Sequence, residues 1–379
     1  MENSPNNGTL RLPGVCLGLM LVALTALPCR AEVLDARAVD LKALPTLEQV
    51  LPSLLDKRVV FVGESHDQYS HHLVQLAIIR ALHAQHGDIA IGLEFFQQPF
   101  QEHLDAFVAG EIDERTMLQR TQYMDRWGFD YRLYQPILQY ARDNRIPLIA
   151  LNVPKELTRK VAEGGVAKLS AEERAQLPEM ERGEERYRQR LRTLYETHPV
   201  REGGTFENFL EAQLLWDEGM AARAAEYMKQ HPDRRMVILV GAGHVAWRDG
   251  IPRRLERRTG VPSVVVLNGP QEVVSPEVAD FVVLPERVEL SPKGMLGVLM
   301  ENAEPGVRIS GFSKASAAQD AGVKQDDRIV QIDDESVANT TDVQLAMFSR
   351  KPGEIINLGV LRQAGTAQEQ LLRYPIKLR

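Results

Sequence analysis

Cysteine is almost absent from this chain. Its 379 residues include two, Cys16 and Cys29, both near the N-terminus. That excludes a disulfide framework or a cysteine-held zinc site across the body of the protein. Positive charge is not in excess either. The net charge is −7 and the basic residues are scattered rather than striped, so nothing points to nucleic acid as a partner. Past the N-terminal segment, no run reaches the roughly 20 apolar residues that a bilayer-crossing helix needs. Repeats and low-complexity tracts are also missing.

What is present is the composition of an ordinary globular protein, 44% hydrophobic and 26% charged. The length leaves room for two domains of roughly 100–200 residues each. Residues 15–27 form an apolar run, preceded by Arg11 and followed by Cys29-Arg30-Ala31. This run is too short to span a membrane and reads as the core of a secretory signal peptide covering residues 1–31. Cleavage after Ala31 would put small residues at both positions the peptidase inspects. It would remove both thiols and take the net charge from −7 to −8, since two arginines and one glutamate leave. The expectation is export to the periplasm or outer membrane. Two alternatives remain, lipidation at Cys29 with membrane association, and an uncleaved anchor. Pro28 stands where a lipidated cysteine normally has a small residue.

Beyond residue 40, strand-like runs alternate with amphipathic helices. Strands are expected at residues 58–62, 89–93, 147–151, 236–240 and 263–267, and an edge strand at 281–284. Helices are expected at 70–86, around Phe107 and Met117, at 134–144 and at 208–228. The charged stretch 171–192 reads as a solvated helical excursion. Strands separated by helices imply βαβ units, so the fold class is α/β with a mainly parallel sheet. Four prolines, Pro270, Pro276, Pro285 and Pro292, punctuate a linker at about 271–289. Short strands and turns then take over, with a helix at 341–348 and a strand at 355–361, implying a β-rich second domain from 290 to 379.

Ligands of an open parallel sheet bind outside the carboxyl ends of its strands. The strands here end in Glu64 with His66, in Glu94, in Asn152, in Gly241-Ala242-Gly243-His244 and in Asn268. Two carboxylates and two histidines in one cleft can bind a divalent metal such as zinc, iron or manganese. They can act as acid and base through Glu64 and Glu94. They can also simply hold one another by hydrogen bonds. His71 and His72 can face the pocket or solvent, and His83, His86 and His103 are expected to be solvated. An aromatic group, Phe95, Phe96, Tyr123, Trp127, Phe129, Tyr131 and Tyr134, is either core or the wall of a flat apolar ligand such as haem, with a Tyr or His as axial ligand. Tyr69 is a further candidate. No Cys-x-x-Cys-His run exists, so the usual covalent haem attachment is excluded.

Several of these segments resemble the ChaN-type haem-binding uptake family. They are Gly63-Glu64-Ser65-His66-Asp67, His71-His72, Gly92-Leu93-Glu94-Phe95-Phe96 and Asp125-Arg126-Trp127-Gly128, then Ala212-Gln213-Leu214-Leu215-Trp216-Asp217, Gly241-Ala242-Gly243-His244-Val245 and Gly250-Ile251-Pro252-Arg253-Arg254-Leu255. The similarity runs over about residues 45–270, within a domain drawn at 40–270. It implies an exported, iron-regulated protein that binds haem and can form a homodimer around it. It also implies tyrosine ligation of iron and a histidine near the propionates. Candidates for those roles are His66, His72, His244, Tyr69, Tyr131 and Tyr134. The wider superfamily includes Tiki-type metalloproteases and erythromycin esterases. That likeness keeps open a metal-dependent hydrolase using Glu64, His66, Glu94 and His244, with Glu64 and Glu94 as acid or base.

The C-terminal part resembles a bacterial PDZ domain. Met295-Leu296-Gly297-Val298 looks like its carboxylate-binding loop, which implies a partner polypeptide C-terminus added as a strand. Asp326 and Asp334 stand where such domains have turn glycines.

Overall fold

Strand β1, Val59–Glu64, is buried along its whole length, as its β-branched run requires. Side chains alternate across a strand, so Val60 and Val62 enter one core while Val59 and Phe61 enter the other. Each such side chain contributes roughly 1.5–3 kcal/mol on full burial. Strands β2 (Ile89–Gln97), β3 (Leu148–Asn152), β4 (Arg235–Gly241), β5 (Ser263–Asn268) and β6 (Phe281–Val283) complete a parallel sheet in the order β3-β2-β4-β1-β5-β6. The structure is a computed structural model that describes residues 39–197, 204–271 and 273–379. The expected signal segment, with Cys16 and Cys29, lies outside the described residues. No helix among them is long and apolar enough to cross a membrane.

Helix Tyr69–His86 covers one face of the sheet with Leu76, Ile79 and Leu82. Helix Phe206–Gln230 covers the other with Met220, Ala221 and Ala224. The stretch expected as a solvated excursion is more than that. Helix Glu185–Thr197 buries Tyr187 and Leu191, and its arginines reach the loop after β4. His83 and His86 also differ from expectation. His83 Nδ1 is 2.9 Å from Tyr140 Oη and His86 Nε2 is 2.8 Å from the Leu55 carbonyl, so both are half-buried and partnered.

The second sheet is antiparallel, with β7 (Val298–Asn302), β8 (Val307–Phe312), β9 (Arg328–Ile332), β11 (Ile355–Arg362) and β12 (Gln370–Lys377) in the order β12-β11-β9-β8-β7. A short β10 (Glu335–Ser336) pairs with β9. Strand β12 carries Pro375 and is largely exposed, which an edge strand tolerates. Helix Thr340–Met347 lies beside β7. Asp326 accepts the left-handed backbone at φ 68°, and in the next turn Asp333, not Asp334, does so at φ 51°. Short polar side chains tolerate that region better than most.

Residues 45–379 form one compact unit. Leu345 of the helix beside β7 is buried in the core under the parallel sheet. The Leu345 carbonyl accepts a 2.9 Å hydrogen bond from Arg115 Nη1, and Thr341 Oγ1 donates to Asp125 Oδ1 at 2.8 Å. Arg115 and Glu335 form an ion pair beside them.

Candidate functional site

Three strand ends meet at the site. β1 carries Glu64 to its last residue, and the chain then turns, closed by Gln68 N–H donating to the Ser65 carbonyl at 3.0 Å. That turn, rather than continued strand, brings His66 back onto Glu64. In β2 the ladder to β3 is irregular between Leu93 and Gln97. Glu94 lies in that interruption, where a bulge frees a side chain from regular alternation. Beyond β4, a tight 3-10 turn at Ala242–His244 delivers His244. Asn152 and Asn268, at the ends of β3 and β5, act as stitches. Each donates its amide to a neighbouring strand's carbonyl, that of Glu94 at 2.9 Å and that of Gly63 at 3.0 Å.

The result is two acid–imidazole pairs. His66 Nδ1 lies 2.6 Å from Glu64 Oε1. Burial disfavours charge on His66, yet the Glu64 hydrogen bond and the Glu94 and Glu64 carboxylates outweigh it and raise its pKa. Its side chain is 26% exposed, and Nε2 makes no hydrogen bond among the described residues. The ring is held edge-on to Trp127 at 4.9 Å and tilted against Phe129 at 4.8 Å. Gly241 lies under it, where a Cβ would come within 2.9 Å of His66 Cε1. Glu64 Oε2 is buried without a hydrogen-bond partner and sits 3.8 Å from His72 Nε2.

The second pair is a triad. His244 Nδ1 lies 2.6 Å from Asp217 Oδ1 and its Nε2 lies 3.4 Å from Glu94 Oε1. Burial opposes charge on this ring, but the Glu94 and Asp217 carboxylates prevail and push its pKa up to about 10. Glu94 shows the reciprocal effect. Burial works to raise its pKa, but His244, His66 and a 2.6 Å hydrogen bond from Gly241 N–H hold it below the ordinary value. Asp217 accepts in turn from Tyr187 Oη at 2.7 Å.

The structure thus brings Glu64, His66, Glu94 and His244 together, and buries His72 beside them. His72 Nδ1 faces Gln75 Oε1 at 3.0 Å, and its ring packs on Tyr134 at 4.4 Å. His71 turns inward as well, with Nδ1 accepting from Ser65 N–H at 3.0 Å. Burial lowers its pKa. Tyr134 is buried, with its hydroxyl accepting from Trp127 Nε1 at 3.1 Å. Tyr131 is not brought in, because its hydroxyl donates to Glu114 Oε1 at 2.8 Å. Burial raises the pKa of both tyrosines. Tyr69 is half-buried in a neighbouring cleft of about 400 Å³ that it shares with Phe129, and its hydroxyl makes no hydrogen bond among the described residues. Sequence reasoning did not assign Asp217 a site role. The signal was an acid on the apolar stripe formed by Leu214, Ala221 and Ala224.

The donor set does not assemble as expected for a divalent metal. His244 faces carboxylates on both ring nitrogens, Asp217 on Nδ1 and Glu94 on Nε2. Among the described residues no three or more His, Cys, Asp or Glu side chains converge as a metal ion would require.

At the second sheet, Met295 is exposed and Leu296 buried. Gly297 takes φ 74°, and a Cβ there would fall 2.6 Å from Ser316 Cα. Val298 opens β7, whose outer edge has no neighbouring strand among the described residues.

Acid-held histidines beside aromatic rings at the carboxyl ends of a parallel sheet match a class of ligand-binding α/β site. Comparison with known proteins specifies it. A family model described as haem-binding uptake, Tiki superfamily, ChaN matches residues 50–255, and a PDZ domain model matches residues 294–371. The chain belongs to this ChaN haem-binding family and carries a PDZ domain behind it. A solved structure showing cofacial haem binding to ChaN of Campylobacter jejuni is 18% identical, with 64% of this chain and 92% of that one covered at a TM-score of 0.51, a likeness of fold. An open-conformation erythromycin esterase mutant, EreC, is 16% identical over 58% of this chain and 72% of its own, with a TM-score of 0.38. Among curated proteins, Protein RETICULATA-RELATED 5, chloroplastic, of Arabidopsis thaliana is 28% identical over 134 residues, 34% of this chain. The chain spans 18% of that relative's length.

Proposed function

We propose that this is an exported haem-binding protein serving haem or iron uptake, and that its PDZ groove takes the carboxyl end of a partner polypeptide. The observation that carries the haem reading is His66. Its Nδ1 is held by Glu64, its Nε2 has no partner among the described residues, and Trp127 and Phe129 supply an apolar aromatic wall beside it. A carboxylate on the far ring nitrogen fixes the orientation of an imidazole and makes it a better iron ligand. Bound haem would supply an iron centre and two propionates. His66 and Tyr69 are the side chains whose groups are left to hold it, since Tyr131 and Tyr134 have their hydroxyls committed in the interior. Two copies pairing around haem, and a periplasmic or outer-membrane location, extend the same reading.

The PDZ reading rests on the free edge of β7 beside helix Thr340–Met347, which accommodates an added strand. Haem titration of the protein tests the first part. A Soret shift that saturates stoichiometrically is expected, lost in His66→Ala or Tyr69→Phe according to which residue holds iron. An unshifted Soret band in the unsubstituted protein would overturn it.

A further inference from the structure

The PDZ groove does not open onto bulk solvent on every side. A cavity of about 580 Å³ is lined by Leu296, Val298 and Met347 from the PDZ side and by Met124, Trp127 and Phe129 from the other. Those last two rings are the ones packed on His66 at 4.9 and 4.8 Å. Trp127 and Phe129 are half-buried, and exposed Gly128 lies between them. The two flanks of the groove are fastened to the same segment. Helix Thr340–Met347 is tied through Thr341 to Asp125, and the Phe348 ring stands 5.9 Å from that of Tyr131. On the loop side, Lys293 Nζ sits 3.6 Å from Asp130 Oδ2.

We propose that the peptide groove and the His66 site share Trp127-Gly128-Phe129, so that a bound polypeptide C-terminus tightens haem binding. The inference rests on the haem and PDZ readings above and deepens them. The occupant is a peptide with a free carboxylate and an apolar last side chain. The edge of β7, unpaired among the described residues, offers the strand hydrogen bonds, Lys293, shared with Asp130, the positive charge, and Leu296, Met347 and Met124 the apolar surface. An apolar side chain in the cavity packs behind Trp127 and Phe129 and restricts rings that are otherwise half-exposed. Haem then meets a wall whose ordering cost has already been met, which raises affinity without new haem contacts. Linkage requires the reverse effect to be equal.

The test uses the whole protein. Haem is titrated by its Soret band with and without a saturating member of a decapeptide set ending in free-carboxylate Val, Leu, Phe or Ala, and amidated versions serve as controls. The expected result is a haem Kd lowered about fivefold or more by the free-carboxylate peptide, a range typical of coupled sites. Haem should lower the peptide Kd by the same factor, and amidated peptides should do neither. Met124→Ala should keep the peptide-free haem Kd and reduce the coupling. Haem and peptide each binding with unaltered or weakened affinity for the other would overturn the coupling and leave the haem reading standing. Peptide binding with no haem binding would overturn both. Haem binding with no peptide of the set bound would overturn the shared-groove inference alone.

Discussion

His244 Nδ1 stands 2.6 Å from Asp217 Oδ1, an imidazole from the loop after β4 held by a carboxylate on the long helix Phe206–Gln230. The contact joins two elements 27 residues apart and anchors the loop that delivers His244 to the site. Asp217 also receives the Tyr187 hydroxyl, so one carboxylate fixes the loop and helix Glu185–Thr197 together.

Replacing Asp217 by Ala takes the closer carboxylate from the largely buried His244, which keeps Glu94 at 3.4 Å, and leaves the Tyr187 hydroxyl without its partner. Breaking one side of a buried ion pair costs about 3–5 kcal/mol. Denaturant unfolding of D217A should show a loss of that order, and a variant as stable as the unsubstituted protein would contradict the anchoring role.

The same pair sets a pH dependence. His244 is raised from 6.5 to about 10, so the stability it contributes is fully present below pH 6.5 and is lost as pH rises through 10. Glu94 is lowered from 4.5, so its contribution is present above that pH and is lost as pH falls through its lowered value. The stability difference between the protein and His244→Asn should therefore shrink steadily from pH 6.5 to 10. A constant difference across that range would sink the assignment.

Gly241 and Gly243 make a matched pair. A Cβ at Gly241 meets the His66 ring, whereas one at Gly243 meets nothing within 4 Å among the described residues. Gly241→Ala should push His66 off Glu64 and weaken haem binding by about tenfold, the value of one charge-assisted hydrogen bond. Gly243→Ala should bind as before. Equal Soret titrations for the two variants would show that His66 does not depend on that close approach.

Arg190 bridges helix Glu185–Thr197 to the His244 loop, donating to the Gly243 carbonyl at 3.1 Å and pairing with buried Asp249 at 2.5 Å. Burial already raises the Asp249 pKa despite this arginine. Arg190→Ala should strip that carboxyl of its closer arginine, leaving Arg186 Nε at 3.7 Å, and loosen the helix. Faster hydrogen exchange over residues 185–197, with the exchange of β1 unaltered, is the expected outcome.

Much of this was legible in the chain. Runs such as Arg58-Val59-Val60-Phe61-Val62 announce strands buried on both faces, and the polar residues that end them mark the site edge. The aromatic segment around Trp127 signalled both core and wall; Tyr123 and Tyr131 are core, and Trp127 and Phe129 pack on the His66 ring. Other features carry no local signal. Glu94 lies in a ladder irregularity that depends on the register against β3. Asp217 hides on an apolar helical stripe because its partner is distant in sequence. Strand β12 exposes most of its side chains, so no burial alternation marks it. The burial of Leu345 under the parallel sheet is a tertiary event that helical periodicity within residues 341–348 cannot encode.

That leucine changes what kind of assembly the protein is. PDZ modules are often pictured as beads that a chain can gain or shed without disturbing its neighbours. Here one bead contributes a buried side chain to the other's core cluster, so deleting it would uncover helices Glu114–Arg120 and Tyr123–Arg126, on which it packs. The two folds are bound to a shared fate. They gain stability together, and a lesion in the small sheet is felt as a missing piece in the large one.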